Sequence, residues 1–475
     1  FRNRAFEIGF IISMSLTQVV AEFLISGFGV ILPYLVEEFP DPSVSQLWPT
    51  SVMTLVVASL TLPCSRAVDM YGGYPFFLAG VLWLALWALL GGFARSEVFL
   101  VVARAMQGLA ITAIQCGAFQ LIGTTYPPGR KRNVVLGLYG ACAPVGFFAG
   151  IGTSGLAVQF ASWNVYFYTA AGASLFVAVL AYITVPTTAV ARSSSAAEKG
   201  LSMDWLGTVT ITPGLFLLAY AMAASSHVSG GWRSAEVLTT LLLGLALLGL
   251  ALLVELRIAA CPLLPARFFR IRSTLPFCVA GLFFYATFGT FLFYSTFYMR
   301  DIMHGSGLQT VLWYLPLAVG GFVVAAVGGS VLHALPNTYL LWFSGAAWTL
   351  APLLLAFAPA TSAPTRTIYW GFVFPAMICA TLGLDLTYTI STVFFSTTQP
   401  ARYQALAGAV ASVLVNLGIS FSLAFADIVE SVEKNRGKGL LECYRAVFYY
   451  AGASAYVGFV VCLLWVRIPK ADKDL

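Results

Sequence analysis

Charge is what this chain lacks: 9% of its 475 residues are Asp, Glu, Lys or Arg, while 59% are hydrophobic. A soluble globular domain carries about 25% charged residues, so this surface cannot be faced with water and lipid is the solvent the composition requires. Strand-length segments alternating apolar and polar residues are also missing, which argues against a membrane barrel. The apolar residues run instead in unbroken blocks such as Leu238–Val254. With no water in the bilayer core, backbone polar groups must be bonded internally, and a helix does this within its own segment. Histidine is scarce too. His227, His304 and His333 fall in separate loops and form no ligand set. The eight cysteines lie mostly inside apolar blocks, which argues against a disulfide framework or a metal site. No Gly-Lys-Ser/Thr loop is present to cradle a nucleotide phosphate, so ATP drive is not expected. The clustered His, Cys and acidic residues of an enzyme site are missing as well.

What is there is a series of fourteen apolar blocks: 9–36, 46–64, 76–94, 98–123, 134–160, 163–185, 205–224, 236–256, 275–299, 308–333, 338–358, 367–396, 403–427 and 445–467. Crossing the bilayer core takes roughly 20 helical residues. The expected fold is therefore an all-α polytopic membrane protein of fourteen spans. The chain begins at Phe1 rather than Met, so its native start is expected upstream. The first block is too long for a signal-peptide core. Cytoplasmic loops carry the excess of Lys and Arg. With the N-terminus inside, about twice as many of these residues fall inside as outside, and Arg104 is left within a span. Acids such as Glu37, Glu38, Asp301, Asp427, Glu430, Glu433 and Glu442 gather outside. Both termini are thus expected in the cytoplasm. The net charge of +6 follows from orientation, and no nucleic-acid partner is expected. Polar linkers at 186–204 and 259–274 separate a six-helix bundle over 1–185, an extra helix pair over 205–258, and a second six-helix bundle over 275–475. Transporters made of two such halves bind substrate near the bilayer midplane.

Short motifs sit on these blocks in a consistent order. Between spans two and three stands Ser65-Arg66-Ala67-Val68-Asp69-Met70-Tyr71-Gly72-Gly73-Tyr74, close to G-x-L-A-D-x-x-G-R-K. Asp69 and Gly72 match, and Gly73 and Tyr74 replace the basic pair. Span four carries Arg104-Ala105-Met106-Gln107-Gly108, a full match to R-x-x-Q-G. Span five carries Gly137, Gly140, Pro144, Gly146, Gly150, Gly152 and Gly155, near the pattern G-x-x-x-G-P-x-x-G. Small residues at this spacing let helix backbones approach, and Pro144 bends the helix. Span six opens with Trp163, span seven with Asp204-Trp205-Leu206-Gly207, and span thirteen with Gln404-Ala405-Leu406-Ala407-Gly408. Together these resemble the fourteen-spanner drug:proton antiporter family of the major facilitator superfamily, and its fungal aminotriazole-resistance and boron-exporter-like branch. The resemblance implies two six-helix bundles plus two extra central helices. It gives Arg66, Asp69 and Gly72 to a cytoplasmic gating motif, in which Arg66 or Arg130–Arg132 stand in for the missing bases. It gives Gly140, Pro144, Gly146 and Gly150 to an antiporter motif, a role that plain tight packing serves equally.

Ionisable groups at membrane depth cost about 2.5–3.5 kcal/mol to insert and are functional candidates by default. Glu22, Arg104 and Asp385 lie well inside spans, while Glu7 stands at the inner edge and is expected to reach the headgroups. Glu22 shares a helical face with Ser15, Gln18, Ser26 and Gly29, and Arg104 one with Gln107 and Gln115. Spans one and four adjoin in the implied fold, so Glu22 and Arg104 are expected to communicate, directly or through Gln18 or Gln107. A fixed structural ion pair is the competing reading. Asp385 shares a face with Thr381 and Tyr388, and no cation is evident in the C-terminal spans. An unpaired carboxylate at that depth tends to take up a proton, which makes Asp385 a proton carrier or a site for a cationic substrate. A protonated acid bonded to backbone is the alternative. Asn416 is a candidate partner on span thirteen. Aromatics are dense in span nine, and Tyr285 and Tyr388 are the best candidates to line a pocket.

The expected function is a proton-coupled exporter of a small molecule, such as a drug, toxin, metabolite or weak acid like borate. The alternative is a proton-coupled importer or facilitator of a small polar nutrient such as ammonium or an organic acid. No cofactor is expected beyond the proton gradient, and no enzyme activity. A monomer in the plasma membrane, or alternatively the vacuolar membrane, is expected.

Overall fold

The computed structural model describes residues 3–39, 47–127, 129–186, 202–228, 230–259, 261–334, 336–359, 364–398 and 404–468. Every regular element among them is helical. Most of the expected linker 186–204 lies outside the described residues. Fourteen long helices follow in order: α1 Arg4–Glu38, α2 Trp48–Tyr71, α3 Gly73–Gly91, α4 Glu97–Thr125, α5 Arg130–Phe160, α6 Asn164–Thr184, α7 Trp205–Ala224, α8 Ala235–Leu253, α9 Thr274–Phe297, α10 Gly307–Ala334, α11 Asn337–Ala356, α12 Phe374–Thr398, α13 Gln404–Asn435 and α14 Leu440–Trp465. Helices α8 and α9 continue as the wider turns Val254–Ile258 and Tyr298–Ile302, and Tyr369–Val373 leads into α12 in the same way. Fourteen helical stretches among the described residues are long and apolar enough to cross a membrane. The fold is the all-α polytopic one that the hydropathy pattern predicts.

Local chemistry sets several boundaries. The Asn3 side chain accepts from the Phe6 N–H at 3.0 Å and starts α1. Ser96 accepts from Phe99 at the start of α4, and Asp204 accepts from the Gly207 N–H at 2.8 Å where α7 begins. Each satisfies an N–H that has no partner within the helix. Two boundaries differ from expectation. The link read over Ser65–Tyr74 is mostly helix, because α2 runs to Tyr71 and Gly72 alone joins it to α3. Gly72 has φ +92°, a conformation that costs glycine little. Asp69 is therefore a residue of the last turn of α2 rather than of a loop. Likewise α13 continues to Asn435, past the expected end of its apolar block. Hydropathy falls there, but Glu and Lys are good helix formers. His333 similarly falls in the final turn of α10 rather than in a loop, and Cys443 in the first turn of α14.

The described helices form two compact units. The first takes Phe1–Asp41, Val52–Thr212 and Leu250–Leu263, and the second Pro42–Ser51, Pro213–Gly249 and Leu264–Leu475. In the first, α1 packs on α5 and α6, and α3 on α4 and α6. In the second, α9 packs on α13 and α14, α11 on α12 and α14, and α10 on α12. Helices α7 and α8 each contribute to both units, divided after Thr212 and after Gly249.

Candidate functional site

In the first unit the charged residues of α1 and α4 sit among polar neighbours. Gln18 Nε2 donates to Glu22 Oε1 at 2.9 Å, one helical turn away. Arg104 is fully buried. Its guanidinium donates to Gln107 Oε1 at 3.0 Å and to the Leu24 carbonyl of α1 at 3.0 Å. It also lies 4.0 Å over the Phe28 ring. The Tyr166 hydroxyl of α6 stands beside it and donates to the Phe23 carbonyl at 3.0 Å. Gln107, also fully buried, spends its amide N–H on the Trp87 carbonyl of α3 at 3.1 Å. Arg104 thus fastens α1, α4 and α6, and Gln107 adds α3. The two glutamines that sequence reasoning offered as intermediaries each serve the charge on their own helix. Gln115 is half-buried two turns along α4 from Gln107.

The span-five motif divides in two. A Cβ on Gly150 would lie 2.6 Å from the Phe23 carbonyl oxygen, and one on Gly146 would lie 2.7 Å from the Val19 Cα. Only glycine permits α5 to approach α1 so closely. Ser26 of α1 reinforces the contact by donating to the Phe147 carbonyl at 2.8 Å. Pro144 lies inside α5 on the N-terminal side of this interface. Gly137, Gly140 and Gly152 meet open space, so the close-approach argument holds for the second half of the motif.

At the α2–α3 junction, Arg66 reaches the Cys261 carbonyl at 3.4 Å. A Cβ on Gly73 would lie 2.5 Å from Gln120 Oε1 and 2.9 Å from the Gly117 carbonyl. The position where the signature has a basic residue is therefore filled by α4 itself. Lys131 pairs with Glu7 at 2.5 Å, and the Tyr126 hydroxyl donates to Glu7 at 3.1 Å. Glu7 thus joins α1 to the start of α5, a pairing the sequence pattern did not signal.

In the second unit, helix α12 is held from two sides. Thr381 donates to the Leu317 carbonyl of α10 at 3.1 Å. Ser344 of α11 donates to the Gly383 carbonyl at 2.8 Å and shares a hydrogen bond with Thr387 at 2.7 Å. Trp348 donates to the same Thr387 oxygen at 3.3 Å. Asp385 lies between these anchors near the middle of α12 and is half-buried. Its carbonyl accepts from Thr389. Among the described residues its carboxylate has no cation or hydrogen-bond donor, and burial is what governs its electrostatics. The buried Tyr285 of α9 lies beside Asp385, Tyr388 and Ser391. Tyr388 is 43% exposed. The structure therefore gathers Asp385, Tyr285 and Tyr388, three residues chosen separately from sequence. Asn416 is buried on α13, and its amide donates to the Ser412 carbonyl one turn earlier at 2.9 Å. Two residues on, Gly418 brings α13 against the α9 backbone at Ala286. Sequence reasoning missed the Ser344–Thr387–Trp348 anchor. Thr387 and Asp385 are two residues apart and point to different faces of α12, and the face pattern drew attention to the acid alone.

The comparisons agree with this architecture. The family model of the Major Facilitator Superfamily matches residues 14–423. A low affinity ammonium transporter of Saccharomyces cerevisiae is 31% identical over 436 residues, covering 90% of this chain and 82% of that one. The efflux pump terJ of Aspergillus terreus is 29% identical, covering 98% and 90%. The aminotriazole resistance protein of Saccharomyces cerevisiae is 28% identical, covering 88% and 76%. Among solved structures, a peptide transporter bound to sulfate matches with a TM-score of 0.69 over 96% of this chain and 93% of that one, at 16% identity. With fourteen apolar helices, a family model spanning most of its length and drug-efflux proteins among its relatives, the chain belongs to the Major Facilitator Superfamily and is a membrane transporter rather than an enzyme.

Proposed function

We propose that this transporter is proton-coupled and exports a small molecule by alternating access, with Asp385 as its principal proton-binding group. The observation that carries the reading is the setting of that carboxylate. It is half-buried at mid-span, beside Tyr285 and Tyr388, with no cation among the described residues. Such a group takes a proton or holds a cationic substrate. If the carboxylate must be occupied for the transporter to reorient, release of one ligand requires arrival of the other, and the two fluxes are coupled. Glu22 is a second proton-binding candidate, buffered by Gln18. Arg104 acts by holding the first bundle in register. Gln18, Gln115 and Asn416 offer amides to a polar substrate, whereas the Gln107 amide is fully buried and already bonded to Arg104 and the Trp87 carbonyl. Export is supported by the relatives named as an efflux pump and an aminotriazole resistance protein. The charge count favours cytoplasmic termini, and the plasma membrane is the proposed location. The protein works as a monomer driven by the proton gradient alone.

The test is flux of ammonium, borate and aminotriazole through the purified protein in vesicles under an imposed pH gradient. The parent is expected to concentrate at least one probe against its gradient, and Asp385→Asn to lose this drive. The reading fails if Asp385→Asn and Glu22→Gln both behave like the parent at every pH. A second reading, uptake or facilitated passage of a small polar nutrient, rests on the relative named as a low affinity ammonium transporter. The direction of coupled flux separates the two.

A further inference from the structure

The loop between α7 and α8 carries a charged contact that the transport reading does not use. His227 Nε2 lies 2.9 Å from Asp427 Oδ2 on α13, and the side chains are 16% and 10% exposed. The loop is placed for this contact. Ala221, Ala224 and Val237 form a small apolar cluster against which Val228 and Leu241 pack. The His227 and Val228 N–H groups both bond to the Ala224 carbonyl. Gly230 and Gly231, with φ +89° and +52°, then turn the chain back toward α8. The contact borders a cleft also lined by Leu47, Phe297, Glu430, Ser431, Lys434 and Tyr444.

We propose that His227 and Asp427 form a proton-binding latch that holds the α7–α8 loop on α13 while the imidazole is protonated. The surrounding charges are mostly negative. Glu430 and Lys434 lie on α13 itself. From α9 comes Tyr294, which donates to Glu430 at 2.7 Å, and from the wide turn that continues it, Asp301, seven residues on. From α14 comes Tyr444, which donates to Asp301 at 2.6 Å. Among the described residues, Glu430 and Asp301 already accept from a tyrosine, and Lys434 is the cation in the lining. A protonated imidazole adds a second positive charge to this acidic setting. A neutral imidazole offers the Asp427 carboxylate a hydrogen bond, and protonation adds the attraction of an ion pair to it. Histidine is also the side chain whose charge ordinarily changes between pH 5 and 8. The sign follows: the latch is strongest at the acid end of that range and weakens as pH rises. The inference does not depend on Asp385, because no residue of the Asp385 site takes part.

The experiment is amide hydrogen exchange of residues 225–234 in the purified full chain in lipid nanodiscs, at pH 5.5 and 8.5. Rates are corrected for the intrinsic pH dependence of exchange. In the parent, protection of the loop is expected to be up to about fivefold greater at pH 5.5, the contribution of the added ion-pair attraction at a partly exposed site. His227→Gln and Asp427→Asn are each expected to remove that difference. Peptides from α11 serve as an internal check that the fold is intact. The latch is overturned if loop protection in the parent does not change with pH, or if either variant keeps the parent's pH dependence.

Discussion

The two units treat their intramembrane charge in opposite ways. In the first, Arg104 is fully buried and spends its guanidinium on Gln107, the Leu24 carbonyl and the Phe28 ring, while Glu22 is bonded by Gln18. In the second, Asp385 is half-buried beside tyrosines with no cation among the described residues. A satisfied charge in a packed interior is costly to disturb and changes state rarely. A carboxylate without such partners sits closer to the balance between charged and neutral forms, and a change in its surroundings can tip it. Under the proposed function, the charge of the first unit is architectural and that of the second is the one that exchanges, although sequence motifs alone favour Arg104.

The sharpest way to break the contrast is Arg104→Ala. It strands the Leu24 carbonyl and Gln107 and removes the contact with Phe28. Leaving buried acceptors unsatisfied costs about 1–3 kcal/mol each, so the melting temperature in detergent is expected to fall by several degrees. Arg104→Lys is expected to recover part of this, because an ammonium cannot make the two-pronged contact of the guanidinium. An unchanged melting temperature in Arg104→Ala would remove its structural role.

Asp385→Asn comes next and reverses the pattern, with stability near the parent's and transport reduced. Asparagine keeps the size of the side chain but cannot exchange a proton with its surroundings, so proton-driven flux is expected to fall to background. The acid-favoured part of the pH profile is expected to disappear with it. If stability falls and flux survives, Asp385 is structural and the contrast between the halves is lost.

Much of this was legible in sequence because lipid imposes simple rules. Helix count and the additional helix pair came from apolar run length, Asp385 and Tyr388 from spacing on a helical face, and Tyr285 from the density of aromatics in its span. What was not legible depends on distant backbone. The Gly73 position packs on Gly117 and Gln120, so the absence of a base at that position reflects space and not only charge. The Glu7–Lys131 pair and the His227–Asp427 contact join residues far apart in the chain, and no local period announces them. The ends of α2 and α13 were misplaced because hydropathy marks where lipid stops, whereas the helix ends where its hydrogen bonds do.

Glu22→Gln is expected to have a smaller effect. Glutamine is of similar size, and the Gln18 amide can still donate to its side-chain oxygen. The exchange of a charged for a neutral hydrogen bond is worth about 1 kcal/mol, or about fivefold in flux, with the pH profile of the parent retained. Loss of all pH dependence in Glu22→Gln would move the proton site to the first unit and invert the comparison.

The smallest effect, and the finest probe, is Tyr285→Phe. The tyrosine is buried with its hydroxyl beside Ser391, Asp385 and Tyr388. Removing a hydroxyl strands a partner only if that partner has no other bond. Ser391 already donates to the Thr387 carbonyl at 2.6 Å, so the change in stability is expected to stay below about 1 kcal/mol. Any change in transport then reports on the carboxylate rather than on packing. If Asp385 holds the proton, loss of the neighbouring hydroxyl dipole shifts the midpoint of the flux–pH curve while leaving its amplitude. If Tyr285 instead lines a substrate pocket, apparent affinity changes and the midpoint stays. Flux measured against both pH and substrate concentration distinguishes the two, and a variant identical to the parent in both would place Tyr285 outside the site.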